Sequence, residues 1–278
     1  MTDLYAVFGD PIQHSKSPRI HALFAKQTGQ DLHYQSRRVP AEQFDQALAG
    51  FLAEGGKGLN CTVPLKELAW QTAAQPPHRL TERARLARAV NTLLVQADGT
   101  LLGDNTDGIG LVNDLVRNHG LTLQGKRLLI LGAGGASRGV ILPLLDCNPD
   151  SIVVANRTVS KAEALVADFA GHGKLLASGF ETLQGQQFDV VLNATSASLS
   201  DQLPPLPEAI LAEQACCYDL AYGNQPTAFV RWGQQQGAAR SLDGLGMLVE
   251  QAAEAFALWR GVRPDTQAVI ALLDAERQ

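Results

Sequence analysis

The sequence predicts an α/β protein of two domains, and three observations carry that prediction. Its 278 residues match about two domains of ordinary size. Near residue 105 a mixed succession of strands and helices gives way to regular strand–helix alternation. In that second stretch the apolar run 127–131 passes directly into Gly132-Ala133-Gly134-Gly135-Ala136-Ser137 and then a helix, as a doubly wound parallel sheet requires.

The elements follow in order. Residues 4–9 are apolar and end at Gly9-Asp10-Pro11, a strand and a turn. Ile20, Leu23 and Phe24 recur at helical spacing, 33–39 alternates as a strand does, and Phe44, Leu48, Phe51 and Leu52 mark a second helix. A short strand over 58–62 precedes Pro64, which suits a helix's first turn. Segments 89–95 and 101–102 flank Asp98-Gly99, a two-residue hairpin signal. Ile109, Leu111, Val112, Leu115 and Val116 form an apolar stripe suited to link two domains. Beyond the strand 127–131 comes a helix that Pro143 should kink. Then follow a strand over 151–155, a helix over 159–169, strands over 188–193 and 215–220, and helices over 245–259 and 266–275.

Composition narrows the function. Hydrophobic residues at 45% and charged residues at 18% describe a globular chain rather than a disordered one. A net charge of −5 argues against a nucleic-acid surface and leaves any anionic ligand to local groups. Cys61, Cys147, Cys216 and Cys217 form no CxxC pair and read as small buried hydrophobes in a reducing compartment. The six histidines lack metal-binding spacing, so no metal is expected. The opening MTDLYAVFGD has no basic segment followed by a long apolar run, and no stretch reaches membrane-spanning length. The expectation is a cytoplasmic protein that meets small molecules rather than nucleic acid or membrane; a monomer and a homodimer fit equally.

The glycine-rich turn points to a dinucleotide. Its first glycine permits the tight turn, its second lets backbone approach a pyrophosphate, and the helix N-terminus offers free N–H groups. Ser137 stands where the third glycine is usual and leaves slightly less room for helix packing. Some two dozen residues on, an NAD site would place a carboxylate on the ribose 2′-hydroxyl. This chain has Ala155-Asn156-Arg157-Thr158, with Lys161 one turn further. A guanidinium suits a 2′-phosphate and can stack on adenine, so NADP is the expected cofactor of a Rossmann-like domain.

At this point the chain resembles the shikimate dehydrogenase family over nearly its whole length. The resemblance rests on Gly9-Asp10-Pro11-Ile12-Gln13-His14-Ser15-Lys16-Ser17-Pro18, on Asn60-Cys61-Thr62-Val63-Pro64-Leu65-Lys66, and on Asn91-Thr92. It continues through Gly103-Asp104-Asn105-Thr106-Asp107-Gly108, the glycine-rich turn, Asn156-Arg157-Thr158, Asn193-Ala194-Thr195-Ser196, and Gly244-Leu245-Gly246-Met247-Leu248-Val249-Glu250-Gln251-Ala252. It implies an N-terminal mixed α/β substrate domain formed by residues 1–105 and 240–278. A Rossmann-like doubly wound NADP domain, 106–239, would be inserted into it, with the site in the cleft between them. It implies reversible NADPH-dependent reduction of 3-dehydroshikimate to shikimate, in the route to chorismate and the aromatic amino acids. The family often has Asn where this chain has Ala22, and Cys61 stands where a plain aliphatic residue is more usual.

Reduction of a ketone needs a proton at the substrate oxygen. Lys66 is the candidate donor. Thr62 could cap the helix that follows, which would put Lys66 at the positive end of the helix dipole, where the charged form is disfavoured. On spacing alone an exposed lysine is the plainer reading. Asp107, by itself a typical helix N-terminal residue, pairs with Lys66 by resemblance.

Ser15 and Ser17 are two apart, so an extended segment would point both hydroxyls the same way; by resemblance they hold the substrate carboxylate. Asn60, Thr62 and Asn91 offer donors and acceptors to ring hydroxyls, and Tyr222 contributes from the cofactor side. Met247 and Gln251 lie four apart on one helix face, so Met247 can touch the nicotinamide while Gln251 reaches the substrate. Ordinary core packing is the alternative for Met247. Gly132, Ala133, Gly134, Gly135, Ala136, Asn156, Arg157, Thr158, Lys161, Thr195 and Gly244 complete the expected cofactor site. Two rivals remain: an NAD-preferring quinate/shikimate dehydrogenase, and a non-catalytic NADP-binding sensor on the same fold.

Overall fold

The computed structural model describes residues 2–277. The chain divides into two compact units. One comprises the residues up to Gly110 with Val249–Ala271, the other Leu111–Leu248 with the residues from Leu272 onward.

The first unit contains β1 (Asp3–Gly9), α1 (Ser17–Thr28), β2 (Leu32–Arg38), α2 (Phe44–Ala53), β3 (Gly56–Cys61), α3 (Lys66–Ala73), β4 (Arg79–Leu80), α4 (Glu82–Ala87), β5 (Thr92–Val95), β6 (Leu101–Asp104) and the start of α5 (Asp107–Asn113). Its six-stranded sheet runs β2-β1-β3-β5-β6-β4. Helical crossovers make β2, β1 and β3 parallel, while β3–β5 and β5–β6 are antiparallel. The β5–β6 hairpin turns where Asp98-Gly99 marked it, with Gly99 at φ 81°. One face of the sheet packs Phe8, Leu59, Leu93, Phe51 and Leu65 into a core; the other carries Tyr5, Val7, Ile12 and Tyr34 against Trp259. Cys61 faces the first of these cores, as expected.

The second unit contains β7 (Arg127–Leu131), α6 (Gly135–Leu145), β8 (Ser151–Ala155), α7 (Val159–Asp168), β9 (Leu175–Ser178), β10 (Phe188–Asn193), β11 (Leu211–Asp219), α8 (Ala228–Gln235) and β12 (Arg240–Leu242). The sheet runs β12-β11-β10-β7-β8-β9, parallel throughout. The chain leaves β7 toward β8 and β9, then returns to β10 on β7's other side. The β7/β10 neighbourhood is therefore a topological switch point, where ligands of open α/β sheets bind. Two helices close the chain, α9 (Leu245–Arg260) and α10 (Gln267–Ala275).

Several details depart from the sequence reading. The helix expected from Pro64 begins at Lys66, and Thr62 does not cap it: the N-cap is Leu65, with no side-chain bond. Thr62 is held in register with β1, its N–H donating to Phe8 O at 2.9 Å, and its carbonyl accepts Leu65 N–H at 2.7 Å. Strand β12 pairs with β11 from Cys216 to Tyr218, so residues 240–242 lie in the second unit's sheet. The units divide at 110/111, 248/249 and 271/272, inside α5, α9 and α10, while the sequence reading sets its domain breaks at 105/106 and 239/240. Composition shifts between elements, whereas tertiary contact can divide a continuous helix.

Candidate active site

In the first unit a connected set of polar side chains gathers where β3, β5, α3 and α5 meet. Lys66 opens α3, where a cation is poorly placed against the dipole, and Asp107 opens α5, where a carboxylate is well placed. Their side chains meet, Lys66 Nζ donating to Asp107 Oδ2 at 2.6 Å, with 31% and 15% of the two side chains exposed. The pair is thus shielded from bulk solvent yet reachable. Asn91 Nδ2 donates to the other carboxylate oxygen, Asp107 Oδ1, at 2.8 Å, and to Thr106 Oγ1 at 2.9 Å. The Asn91 amide oxygen accepts Thr106 N–H at 2.9 Å. Gln251 Oε1, on α9, accepts from Asn91 Nδ2 at 3.3 Å. Asn105 Oδ1 accepts Asp107 N–H at 3.1 Å, and Asp104, gripped by Arg83 at 2.7 and 2.5 Å, accepts Asn105 N–H at 2.7 Å. The carboxylate at Asp107 is therefore fixed from both its side chain and its backbone.

Asn60, buried on β3, donates from Nδ2 to Asn91 O and to Thr92 Oγ1, both at 3.0 Å. Its Oδ1 accepts the Tyr34 hydroxyl at 2.7 Å. Thr62 is half-buried beyond it. The serines differ from expectation: 15–17 is a turn into α1 rather than an extended segment, with Lys16 at φ −81°, ψ −9°. Ser15 Oγ accepts Ser17 N–H at 3.3 Å, so the two hydroxyls are set by that local turn. The structure brings Asn60, Lys66, Asn91, Asp107 and Gln251 into one hydrogen-bonded network. His21 is fully buried beside it, and burial depresses its pKa to about 3, with the Asn60 side chain acting in the opposite direction.

In the second unit a cleft of about 600 Å³ opens at the switch point. Gly132, Ala133, Gly134, Gly135, Ala136, Asn156, Arg157, Thr158, Lys161 and Thr195 all line it. Gly132 has φ +100°, and a Cβ there would lie 3.2 Å from Ala194 O, so glycine is required. A Cβ on Gly134 or Gly135 would meet no protein atom within 4 Å, so this backbone borders open space. Ser137 compensates for the missing third glycine: fully buried, its hydroxyl donates to Gly132 O at 2.7 Å and pins the turn. Arg157 and Lys161 are exposed at the rim, and among the described residues no Asp or Glu lines the cleft. A glycine cradle at a helix N-terminus beside two cations fits a pyrophosphate with a further phosphate.

Gly244, Met247 and Tyr222 lie outside that lining. Gly244 precedes α9, where a Cβ would sit 2.3 Å from Leu220 O. Met247 N–H donates to the Tyr218 hydroxyl at 3.3 Å, and Tyr218 in turn donates to buried Asp114 at 2.7 Å. Tyr222 is half-buried after β11, and burial raises its pKa, Arg277 opposing.

Sequence reasoning missed Phe180, Ser200, Gln202, Leu203, Pro204 and Pro205, which also line the cleft. Their signal was positional only: they follow the carboxyl ends of parallel strands. It also missed Asp219, a fully buried carboxylate that accepts from Asn193 Nδ2 and Ala221 N–H at 3.1 Å and from Ser198 and Thr227 hydroxyls at 2.6 Å. It ties the Thr195 loop to the Tyr222 loop.

Comparison with known proteins agrees with this geometry. Residues 7–93 match the model of the shikimate dehydrogenase substrate binding domain, 114–200 that of shikimate/quinate 5-dehydrogenase, and 244–273 that of the shikimate 5′-dehydrogenase C-terminal domain. The chain is 59% identical to the shikimate dehydrogenase (NADP(+)) of Methylococcus capsulatus over 99% of this chain and 98% of that one. An Ael1 enzyme from Pseudomonas putida superposes with a TM-score of 0.92 at 50% identity, covering 98% of each chain. The shikimate 5-dehydrogenase of Thermus thermophilus, solved in complex with NADP(H) and shikimate, does so at 0.85 with 30% identity over the full length of both.

Proposed function

The chain belongs to the shikimate dehydrogenase family, and from that membership we propose how its residues divide the work of a reversible, NADP-dependent reduction of 3-dehydroshikimate to shikimate. It is an oxidoreductase acting on a CH–OH group, a step toward chorismate and the aromatic amino acids. The observation that carries the assignment of roles is the Lys66–Asp107 pair at 2.6 Å, set in a network of buried amides.

Gly132, Ala133, Gly134, Gly135 and Ala136 cradle the cofactor's pyrophosphate, with Thr195 beside them. Arg157 and Lys161, flanked by Asn156 and Thr158, hold its 2′-phosphate, and Gly244 and Met247 serve its nicotinamide end. When bound, NADPH supplies the hydride; the protein supplies the proton. Lys66 donates from Nζ to the ketone oxygen as negative charge develops there, and takes the proton back in the reverse direction. Asp107 holds Nζ in place and stabilises its charged form, so the two act as a unit. The partial exposure of Lys66 lets solvent restore the proton.

Ser15 and Ser17 take the substrate carboxylate. Asn60, Thr62, Asn91, Tyr222 and Gln251 read its hydroxyls. In this reading the unit of residues up to Gly110 with Val249–Ala271 serves as the substrate-binding domain, and Leu111–Leu248 with the residues from Leu272 onward as the cofactor-binding one. The reading further places the enzyme in the cytoplasm, as a monomer or homodimer; none of its described helices is long and apolar enough to cross a membrane.

Replacing Lys66 by alanine should cut turnover by about two to four orders of magnitude, with a smaller change in substrate affinity. If the pair acts as a unit, the Lys66→Ala/Asp107→Ala double variant should be little worse than either single one. Near-normal turnover in Lys66→Ala would overturn the assignment.

A further inference from the structure

The Asn60 amide is almost fully committed inside the protein. Nδ2 carries two hydrogens, and both are taken, by Asn91 O and by Thr92 Oγ1. Flipping the amide would turn its oxygen onto the Asn91 carbonyl, an acceptor only, so the orientation is fixed. Asn60 can then meet a ligand in one way, by accepting a hydrogen bond through the lone pair that Oδ1 has left. The other lone pair takes the Tyr34 hydroxyl at 2.7 Å.

Tyr34 comes from β2, far in sequence from Asn60, and is itself buried. Its ring stacks on His21 at a centroid distance of 4.2 Å and an interplanar angle of 8°, with Trp259 at 6.2 Å, so two aromatic rings hold the phenol still. One buried hydroxyl thus holds a residue assigned to a substrate hydroxyl, from a separate segment of sequence.

We propose that Tyr34 is a positioning residue for substrate recognition: its hydroxyl aims the Asn60 carbonyl oxygen at a donating, non-reacting hydroxyl of the substrate. The proposal rests on the reading of Asn60 given above. Without the phenol, Oδ1 loses the partner that holds its direction, while the ring stack persists in Tyr34→Phe. The penalty falls on substrate recognition, not on the Lys66–Asp107 pair or on the cofactor cradle.

The test is steady-state kinetics of Tyr34→Phe. The KM for shikimate should rise on the order of tenfold, the loss of about one hydrogen bond, with kcat within about threefold and the KM for NADP unchanged. With analogues lacking one or other of the two non-reacting ring hydroxyls, the penalty should vanish for the analogue that lacks the hydroxyl read by Asn60. A merely structural role would lower all parameters together and penalise every analogue alike. An unchanged KM for shikimate, or an equal penalty across the analogues, overturns the proposal and leaves the functional reading intact. Failure of the unsubstituted enzyme to oxidise shikimate would overturn both. Should Tyr34→Phe not fold, a ring-difluorinated tyrosine at position 34 keeps the ring and sharpens the donor. It should move the KM for shikimate at least about twofold and leave that for NADP alone.

Discussion

In the first unit Lys66, Asp107, Asn91, Asn60 and Gln251 bond one another, largely out of solvent, whereas in the second Arg157 and Lys161 stand exposed beside a glycine turn that borders open space. The first arrangement is built before the ligand arrives. Each group's direction is set by a neighbour, and removing one leaves others buried without a partner. The second is a cradle of backbone N–H groups and long cations suited to closing on a phosphate through charge. On the proposed reading, the chain recognises the hydroxyls of a polyhydroxylated acid by a rigid pattern of donors and acceptors, and a charged cofactor by local field and shape.

This contrast predicts how damage spreads. Asn91→Ala strips partners from Asp107 Oδ1, Thr106 and Gln251 at once. It should lower kcat/KM for shikimate by about a hundredfold or more, with the KM for NADP unaltered. Loss confined to about threefold would show that the network is less cooperative than its geometry. Arg157→Ser should instead act on one ligand alone, raising the KM for NADP by about ten- to a hundredfold and leaving NAD nearly unchanged. Equal losses for the two cofactors would remove the guanidinium from the 2′-phosphate.

A smaller effect is expected from pH. The folded state holds His21 neutral, its pKa lowered by burial to about 3. The unfolded chain, near 6.5, binds the proton more readily, so stability rises with pH across that interval. The contribution is complete above about 6.5 and is lost as pH falls toward 3. Urea titrations from pH 7 to 4 should show this slope, and a His21→Phe variant should flatten it. An unchanged slope in the variant would place the acid sensitivity elsewhere.

The contrast also explains what was legible in the sequence. The cofactor cradle is local: Gly132 to Ser137 lie side by side, and Asn156, Arg157 and Lys161 follow one strand later. Periodicity and glycine spacing therefore found both the sheet and its ligand face. The substrate network joins β2, β3, β5, α5 and α9, so no spacing announces that Tyr34 reaches Asn60 or that Asn91 bridges Asp107 and Gln251. Only the family resemblance collected those residues, and it did not reach Tyr34 or Asp219. The short elements β4, β9, β12 and α4 escaped notice because they lack the length for a clear period. Thr62 was misread as a cap because its strand pairing with β1 outweighs the local signal.

The most direct test is near-ultraviolet absorbance of reduced nicotinamide, with shikimate and quinate each offered with NADP or NAD. The account predicts rapid reduction of NADP in the presence of shikimate, and a much slower response with NAD. Silence in all four combinations, with NADP binding intact, would contradict it and leave a cofactor-binding protein without this chemistry.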